Sequence, residues 1–198
     1  MPPETTYWSP YSGLDGLCGN TLLIPLEELA ALGLLKRSEL PQRQPLAMHA
    51  DFSAVAAAKG PLLDAAAARL CGGGVRFAAL ASEMADFQEA NPWVEQSALF
   101  SILTRLPGCQ GQAWWDWPAE LRDRQPGALD AVRREHAAEV DKFVALQFLF
   151  DKFWGEVKAS GRGRPIRRGL SWSARIWLCG ARPVSLPWAN VRTAAHPC

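Results

Sequence analysis

Several residue patterns that would assign a function class are missing from this 198-residue chain. No run of about 18 apolar residues occurs, so a membrane-spanning helix is not predicted. The five cysteines are odd in number, widely spaced and without a Cys-x-x-Cys pair, which argues against a zinc site or a disulfide framework. Residues 1–4 have neither the apolar core of a secretion signal nor the character of a transit peptide. This composition is typical of a globular protein from a reducing compartment.

Acidic residues are missing altogether from the C-terminal region. Residues 161–198 contain seven arginines, no lysine and no Asp or Glu, whereas residues 1–160 contain 20 acids and 14 Lys or Arg. One interpretation is a basic tail whose tryptophans stack on nucleic acid or whose charge binds another anionic surface. The other is a GC-rich reading frame translated out of phase, through a frameshift, a retained intron or a gene-model error. The second is favoured, and nucleic acid is not an expected partner.

The segment Trp8–Ile24 combines three glycines at a spacing of three with one proline. Pro10 fixes its own backbone φ angle, and the glycines keep the segment from forming a regular helix. Asp15 and Asn20 have side chains that close local turns. The last four residues of the segment are apolar, and Pro25 then opens a helix with acids in its first turn. From the residues alone, the segment predicts a surface loop that leads into a helix.

The chain from there to about residue 160 has the pattern of successive helices without a convincing strand. The predicted helices span residues 25–32, 52–59, 61–70, 77–90, 93–106 and 118–124, followed by a long helix from residue 126 to about 157. Gly60 and Pro61 are expected to separate the second helix from the third. The cluster of Trp114, Trp115 and Trp117 fits either a core or a carbohydrate platform, and the core is favoured.

Two strings in the loop resemble a known family. Ser-Pro-Tyr-Ser-Gly at residues 9–13 and Cys-Gly-Asn-Thr-Leu-Leu-Ile at 18–24 are similar to the 4-alpha-glucanotransferases of glycoside hydrolase family 77, in their plastidial plant and algal form. Trp-Val-Glu-Gln-Ser-Ala-Leu-Phe at 93–100 and Trp-Asp-Trp-Pro at 115–118 continue the likeness, which covers about residues 2–160. The resemblance implies an α/β fold, an incomplete (β/α)8 TIM-barrel glycosidase. This piece would be mostly the α-helical insertion after barrel strand 1, and the strand itself is expected to be missing before Met1.

The resemblance also implies which residues touch sugar. Ser9 and Tyr11 match loop residues that contact glucan, since a hydroxyl can bond a glucose hydroxyl and a phenol ring can pack on a pyranose. The positions expected to shape the loop are Pro10, Asp15, Gly19 and Asn20. Retaining glucan transfer needs two carboxyl groups about 5 Å apart. Because the family's catalytic acids lie in later barrel strands, no catalytic residue is expected in this chain, and neither a metal nor a cofactor is expected.

Three regions are therefore predicted: an active-site loop at 1–24, a helical insertion at 25–160, and a disordered or out-of-frame tail at 161–198. The predicted function is 4-alpha-glucanotransferase, acting on maltooligosaccharides and α-1,4-glucans of starch by retaining double displacement, with this chain a fragment that is inactive alone. The alternative is a non-enzymatic helical interaction module with a basic tail. The resemblance implies a plastid location, with the cytoplasm as the alternative, and no membrane partner.

Overall fold

Seven α-helices follow one another in the part of the chain that the structure describes. A computed structural model describes residues 16–41 and 52–161, without the side chains of 160 and 161. Its helices are α1 (Leu26–Ala31), α2 (Phe52–Cys71), α3 (Ala78–Ala90), α4 (Trp93–Leu103), α5 (Ala119–Arg122), α6 (Pro126–Glu135) and α7 (Ala137–Gly161). No strand occurs within these two ranges, so the mostly helical character is confirmed for them. The barrel itself stays a prediction.

The expected break at Gly60 and Pro61 is wrong, because α2 is a single helix of 20 residues that contains both of them. Inside a helix a proline cannot donate to the carbonyl four residues earlier, and its ring crowds that carbonyl as well as the N–H and the Cβ of the preceding residue. Here the preceding residue is Gly60, which has no Cβ. A glycine before the proline removes the clash with the Cβ, which is one of these costs.

The long helix expected from residue 126 is in fact two helices, which meet at His136. This residue has φ −109° and ψ 26°, outside the helical region. Its carbonyl accepts hydrogen bonds from the N–H groups of Glu139 and Val140 at 2.9 and 3.0 Å. Its ring Nδ1 lies 2.9 Å from Oε1 of Glu139. His136 therefore ends α6 and caps the start of α7.

Helix α7 contributes side chains to both apolar clusters of the described residues. Around its middle, between residues 145 and 153, it contributes four buried side chains to a first apolar cluster, shared with α1, α2, α3 and the turn at residues 34–35. Nearer its N-terminus, Val140 and Val144 join a second cluster with α4. Phe87 of α3 packs against both clusters, and its ring centroid lies 5.9 Å from that of Phe148. The apolar face of α7 is broad because it meets different neighbours along its length.

The chain divides into two units, residues 1–153 and 154–198, and both apolar clusters lie in the first. The described part of the second unit is the end of α7, residues 154–161. The predicted tail otherwise lies outside the described residues. Within 16–41 and 52–161, no helix combines the length and the apolar character needed to cross a bilayer.

Candidate functional site

The last part of the predicted loop, residues 16–24, is held in place by side chains from α2 and α7, and we call it the anchored limb. Four predicted site residues lie outside the described residues: Ser9, Pro10, Tyr11 and Asp15. The other two, Gly19 and Asn20, belong to the anchored limb, where Gly19 is buried. The geometry of the site is therefore built from this limb and the groups that hold it.

Gly19 is bound at both of its backbone polar groups by one side chain. Its N–H donates to Oε1 of Gln147 at 2.8 Å, and its carbonyl accepts from Nε2 of the same amide at 3.3 Å. Gln147 lies on α7, 128 positions away along the chain, and only 3% of it is exposed. A primary amide offers a donor and an acceptor in one plane, which is what a buried peptide unit without a strand partner requires. Gly19 is thus held as it would be by a neighbouring β-strand.

The other side of Gly19 faces an aromatic ring. A Cβ placed on Gly19 would overlap the ring of Phe150, which lies on α7 three positions after Gln147. Residues three apart on a helix share one face, so α7 presents the amide and the ring to the limb together. Only glycine fits between this ring and the amide, which is a packing reason for the residue at this position.

Asn20 folds the limb into a turn directly after this contact. Its side-chain Oδ1 accepts a hydrogen bond from the N–H of Leu22 at 3.0 Å and so caps the 3₁₀ turn Thr21–Leu23. The turn ends at Ile24, whose N–H bonds the carbonyl of Thr21 at 3.1 Å and whose side chain is 1% exposed in the first cluster. The expected loop-shaping roles of Gly19 and Asn20 have a geometry that suits them, and they stay predictions.

Lys59 of α2 binds the far end of the limb. Its Nζ donates to the carbonyl oxygens of Leu22 and Ile24, each at 2.6 Å. An ammonium group has three donors and no acceptor, so it suits two carbonyls that a short turn leaves without helical partners. Burial lowers the pKa of the Lys59 ammonium, and the charge of Glu27 acts in the opposite direction.

Sequence reasoning missed both anchors, although each left a signal. Gln147 interrupts an apolar stretch of α7, and a polar residue on a buried helix face requires a partner. Lys59 directly precedes Gly60 and Pro61, the residues at which the sequence predicts a helix break. The identity of the partner could not be found in either case, because the contacts span 128 and about 35 positions.

The tryptophan cluster and the nearby acids complete the candidate residues. Trp117 is 3% exposed, as the core interpretation predicts, whereas Trp115 is 59% exposed and its ring stands edge-on to Trp114 at 5.7 Å. Asp116 and Glu120 lie at the surface. In the described part of the chain, no group of three or more His, Cys, Asp and Glu residues is arranged to hold a metal ion.

Comparison with known proteins gives a consistent set of relatives. The family model described as 4-alpha-glucanotransferase matches residues 1–168. A Solanum tuberosum protein named "4-alpha-glucanotransferase, chloroplastic/amyloplastic" is 37% identical over 161 residues, which cover 80% of this chain and 27% of that protein. A similarly named Oryza sativa protein is 39% identical, over 76% of this chain and 25% of its own length.

A bacterial relative aligns over more of the chain. The 4-alpha-glucanotransferase of Thermus thermophilus is 30% identical over 195 residues, 96% of this chain and 35% of that protein. The chain therefore spans about a quarter to a third of the length of these relatives. The family match continues past residue 160, where the predicted tail begins, and the domain boundaries stay a prediction.

Proposed function

We propose a function from the premise that this chain belongs to glycoside hydrolase family 77, the family described as 4-alpha-glucanotransferase. The proposed function is the transfer of α-1,4-glucan segments between maltooligosaccharides and starch-derived glucans. The observation that carries the proposal is the anchored limb, a glycine-containing segment fixed by Gln147 and Lys59 directly after the residues that resemble the family's sugar-contacting loop. A loop that binds a ligand is useful when a rigid scaffold positions it, and α2 and α7 are such a scaffold.

The proposed architecture is a (β/α)8 barrel to which this chain contributes the loop after strand 1 and the helical insertion that follows. The order of the described elements supports it, since an irregular limb leads into seven helices with no strand within 16–41 and 52–161. Loops at the carboxyl ends of barrel strands form the active sites of such folds. The limb would therefore join the barrel's sugar cleft to the insertion.

The proposed mechanism separates the chemistry from the substrate contact. In a retaining transfer, one carboxyl group attacks the anomeric carbon while a second protonates the departing sugar, and the covalent intermediate is resolved by the 4-hydroxyl of an acceptor glucan. Both carboxyl groups are proposed to lie in barrel strands that these residues do not include. Ser9 would hydrogen-bond a glucose hydroxyl, and Tyr11 would pack its ring on a pyranose and orient it.

The plant relatives carry "chloroplastic/amyloplastic" in their names. We therefore propose a plastid for this protein, with the cytoplasm as the alternative. The proposed partners are α-1,4-glucans, with neither nucleic acid nor membrane. Family membership favours the enzyme over a non-enzymatic helical module.

The test uses a chimera in which residues 1–160 of this chain replace the matching segment of the Solanum tuberosum relative. The chimera should redistribute chain lengths from maltotriose, and this chain alone should release no glucose because both carboxyl groups are needed.

Tyr11→Ala in the chimera should raise the activation free energy by about 1–3 kcal/mol, whereas Tyr11→Phe, which keeps the ring, should raise it less. An unchanged rate in Tyr11→Ala would contradict the assignment, and transfer by the chain alone would contradict the placement of the carboxyl groups.

A further inference from the structure

The structure gives three neighbouring tryptophans different environments. Trp117 is 3% exposed, and its ring centroid lies 5.5 Å from that of Phe100 on α4. Trp114 is half-buried, whereas Trp115 keeps 59% of its surface exposed. A side chain with this much solvent contact adds little to the interior, so the packing of the region does not account for a tryptophan at position 115.

The backbone that carries Trp115 is held in a short turn. Residues 114–116 form a 3₁₀ turn, and the N–H of Trp117 donates to the carbonyl of Trp114 at 3.3 Å where the turn ends. The buried Trp117 side chain fastens this end of the turn to the interior. The ring of Trp114 stands edge-on to that of Trp115, with an angle of 78° between the ring planes. An aromatic side chain on a fixed turn loses little conformational freedom when a ligand binds, which favours affinity.

The chain around Trp115 carries negative charge. Residues 106–121 contain Asp116 and Glu120, both exposed, but no Lys, Arg or His. Glu120 lies in α5, the helix that contacts the turn. Negative charge repels nucleic acids and anionic membranes, so these two classes of ligand are disfavoured at the exposed ring.

A sugar fits this surface better than another protein surface does. Asp and Glu are depleted in the centre of protein–protein interfaces, where acids beside the ring would lose their hydration. A pyranose carries C–H groups on its faces and hydroxyls around its edge, so one face packs on an indole while the hydroxyls donate to a carboxylate beside it. Among sugars, the substrates proposed above for this protein are α-1,4-glucans.

We propose that Trp115 and Asp116 form a glucan-binding surface of this chain: the indole packs on a pyranose of an α-1,4-glucan, and the carboxylate accepts hydrogen bonds from its hydroxyls. The inference rests on the proposed function, which supplies the identity of the glucan. It needs neither Ser9 nor Tyr11, so binding at Trp115 is measurable in this chain without the transfer reaction.

The first experiment measures glucan binding by this chain. Fluorotryptophan, incorporated at all nine tryptophans, gives each ring its own fluorine NMR signal, and Trp115→Phe identifies the signal of residue 115. Maltoheptaose should shift this signal and leave that of the buried Trp117 unchanged. Trp115→Ala should weaken the affinity for maltoheptaose about tenfold, and Asp116→Ala should weaken it less. Val75→Ala is the matched control and should change nothing, since Val75 is 97% exposed in the turn before α3.

Three results of this experiment would overturn the proposal. A signal of residue 115 that does not respond to maltoheptaose shows that the ring binds no glucan. Equal affinity in Trp115→Ala and the unmodified chain shows that glucan binds elsewhere. A signal that shifts with protein concentration, in the absence of sugar, shows that a second copy of the chain covers the ring.

The second experiment uses the chimera described above, in which the rest of a full-length relative is present. The fluorine signal of a solvent-exposed ring differs between light and heavy water, so the signal of residue 115 should show this difference in the chimera. If it does not, other parts of the protein cover the ring and the proposal fails.

Kinetics of the chimera give the consequence for the reaction. Trp115→Ala should raise KM for amylose about tenfold and leave kcat unchanged, because a contact made equally in the ground and transition states affects binding alone. An unchanged KM, or a fall in kcat alone, would contradict the assignment. If the unmodified chimera transfers no glucan, the proposed function fails, and the titration of this chain still decides whether Trp115 binds glucan.

Discussion

Two regions of the first unit are ordered by different kinds of contact. In residues 16–41, the parts outside α1 are irregular and have several backbone groups bound by side chains of the long helices, as in the bonds that Arg69 donates to the carbonyl of Leu34 and Lys59 donates to those of Leu22 and Ile24. The helices α4 to α6 satisfy their own backbone groups. Their side chains also meet in polar contacts, such as the ion pair of Arg133 in α6 with Glu95 in α4.

The difference follows from where buried backbone groups find partners. A helix supplies them internally, and it then needs only an apolar face to pack. An irregular segment has to obtain them from elsewhere, so each buried peptide unit depends on a particular side chain. The conformation of residues 16–41 therefore depends on few residues, and those residues lie on α2 and α7. The four predictions that follow test this contrast.

The largest effect is expected at the core that both regions share. Leu149 of α7 is 0% exposed in the first cluster, so Leu149→Ala should lower the free energy of unfolding by about 2–5 kcal/mol through lost burial and a residual cavity. The matched control is Leu23→Ala in the anchored limb, where the side chain is 61% exposed, and a change within about 0.5 kcal/mol is expected. Chemical denaturation measures both. Similar losses in the two variants would contradict the described core.

The second effect is expected from the contact between Gly19 and Phe150. Gly19→Ala places a methyl group where the ring lies, and the strain should lower the free energy of unfolding by about 1–3 kcal/mol. Adding Phe150→Leu should recover part of this loss, although the same substitution alone should destabilise the protein. A double-mutant cycle measures the recovery. Strictly additive losses would show that the two residues do not touch.

The helices were largely predictable from sequence, because apolar periodicity and the positions of Pro and Gly are local signals. The errors came at two places: the helix continues through Gly60 and Pro61, and it is interrupted at His136, whose conformation is not helical. The Trp cluster was predicted correctly for Trp117 only, since periodicity cannot tell which ring of three adjacent aromatics turns inward.

The candidate site was predictable in part. The glycine and asparagine of the limb carry turn chemistry that the sequence displays, and Asn20 does bond the N–H two residues on. The anchors were not predictable, because a buried glutamine indicates that it needs a hydrogen-bond partner but not which residue that partner is. The pairing of Gln147 with Gly19 depends on how α7 lies against the limb, and that is set by the apolar clusters as a whole.

A smaller effect is expected at the second anchor. Lys59→Met keeps the apolar part of the side chain and removes the two bonds to the carbonyls of Leu22 and Ile24, which should lower the free energy of unfolding by about 1–2 kcal/mol. Lys152→Met is the matched control, since its ammonium pairs with the Glu83 carboxylate and not with backbone. That variant should change stability by about 1 kcal/mol or less. Equal losses would mean that the backbone of the limb does not depend on Lys59.

The smallest effect is expected from a pair that combines both kinds of contact and stays open to solvent. Glu39 accepts two hydrogen bonds from the Arg69 guanidinium, at 2.6 and 2.8 Å, and one from the N–H of Lys36 at 2.7 Å. These bonds, that from Arg69 first, lower the pKa of Glu39 to about 2 from an ordinary 4.5. Solvent screens the pair, because about a third of the Arg69 side chain remains exposed.

The sign of the resulting pH dependence follows from this shift. A carboxyl group whose pKa is lower in the folded protein contributes stability above its unfolded pKa, and that contribution is lost as the pH falls from 4.5 to about 2. Glu39→Gln should therefore flatten this part of the stability profile, and added salt should reduce the difference. Asp123→Asn is the control: Arg122, its partner, is the adjacent residue and stays close in the unfolded chain, so the profile should change less. The measurement is the unfolding midpoint of each variant across this pH range. If the midpoint of Glu39→Gln changes with pH as steeply as that of the unmodified protein, Arg69 holds residues 34–39 through the carbonyl of Leu34 instead.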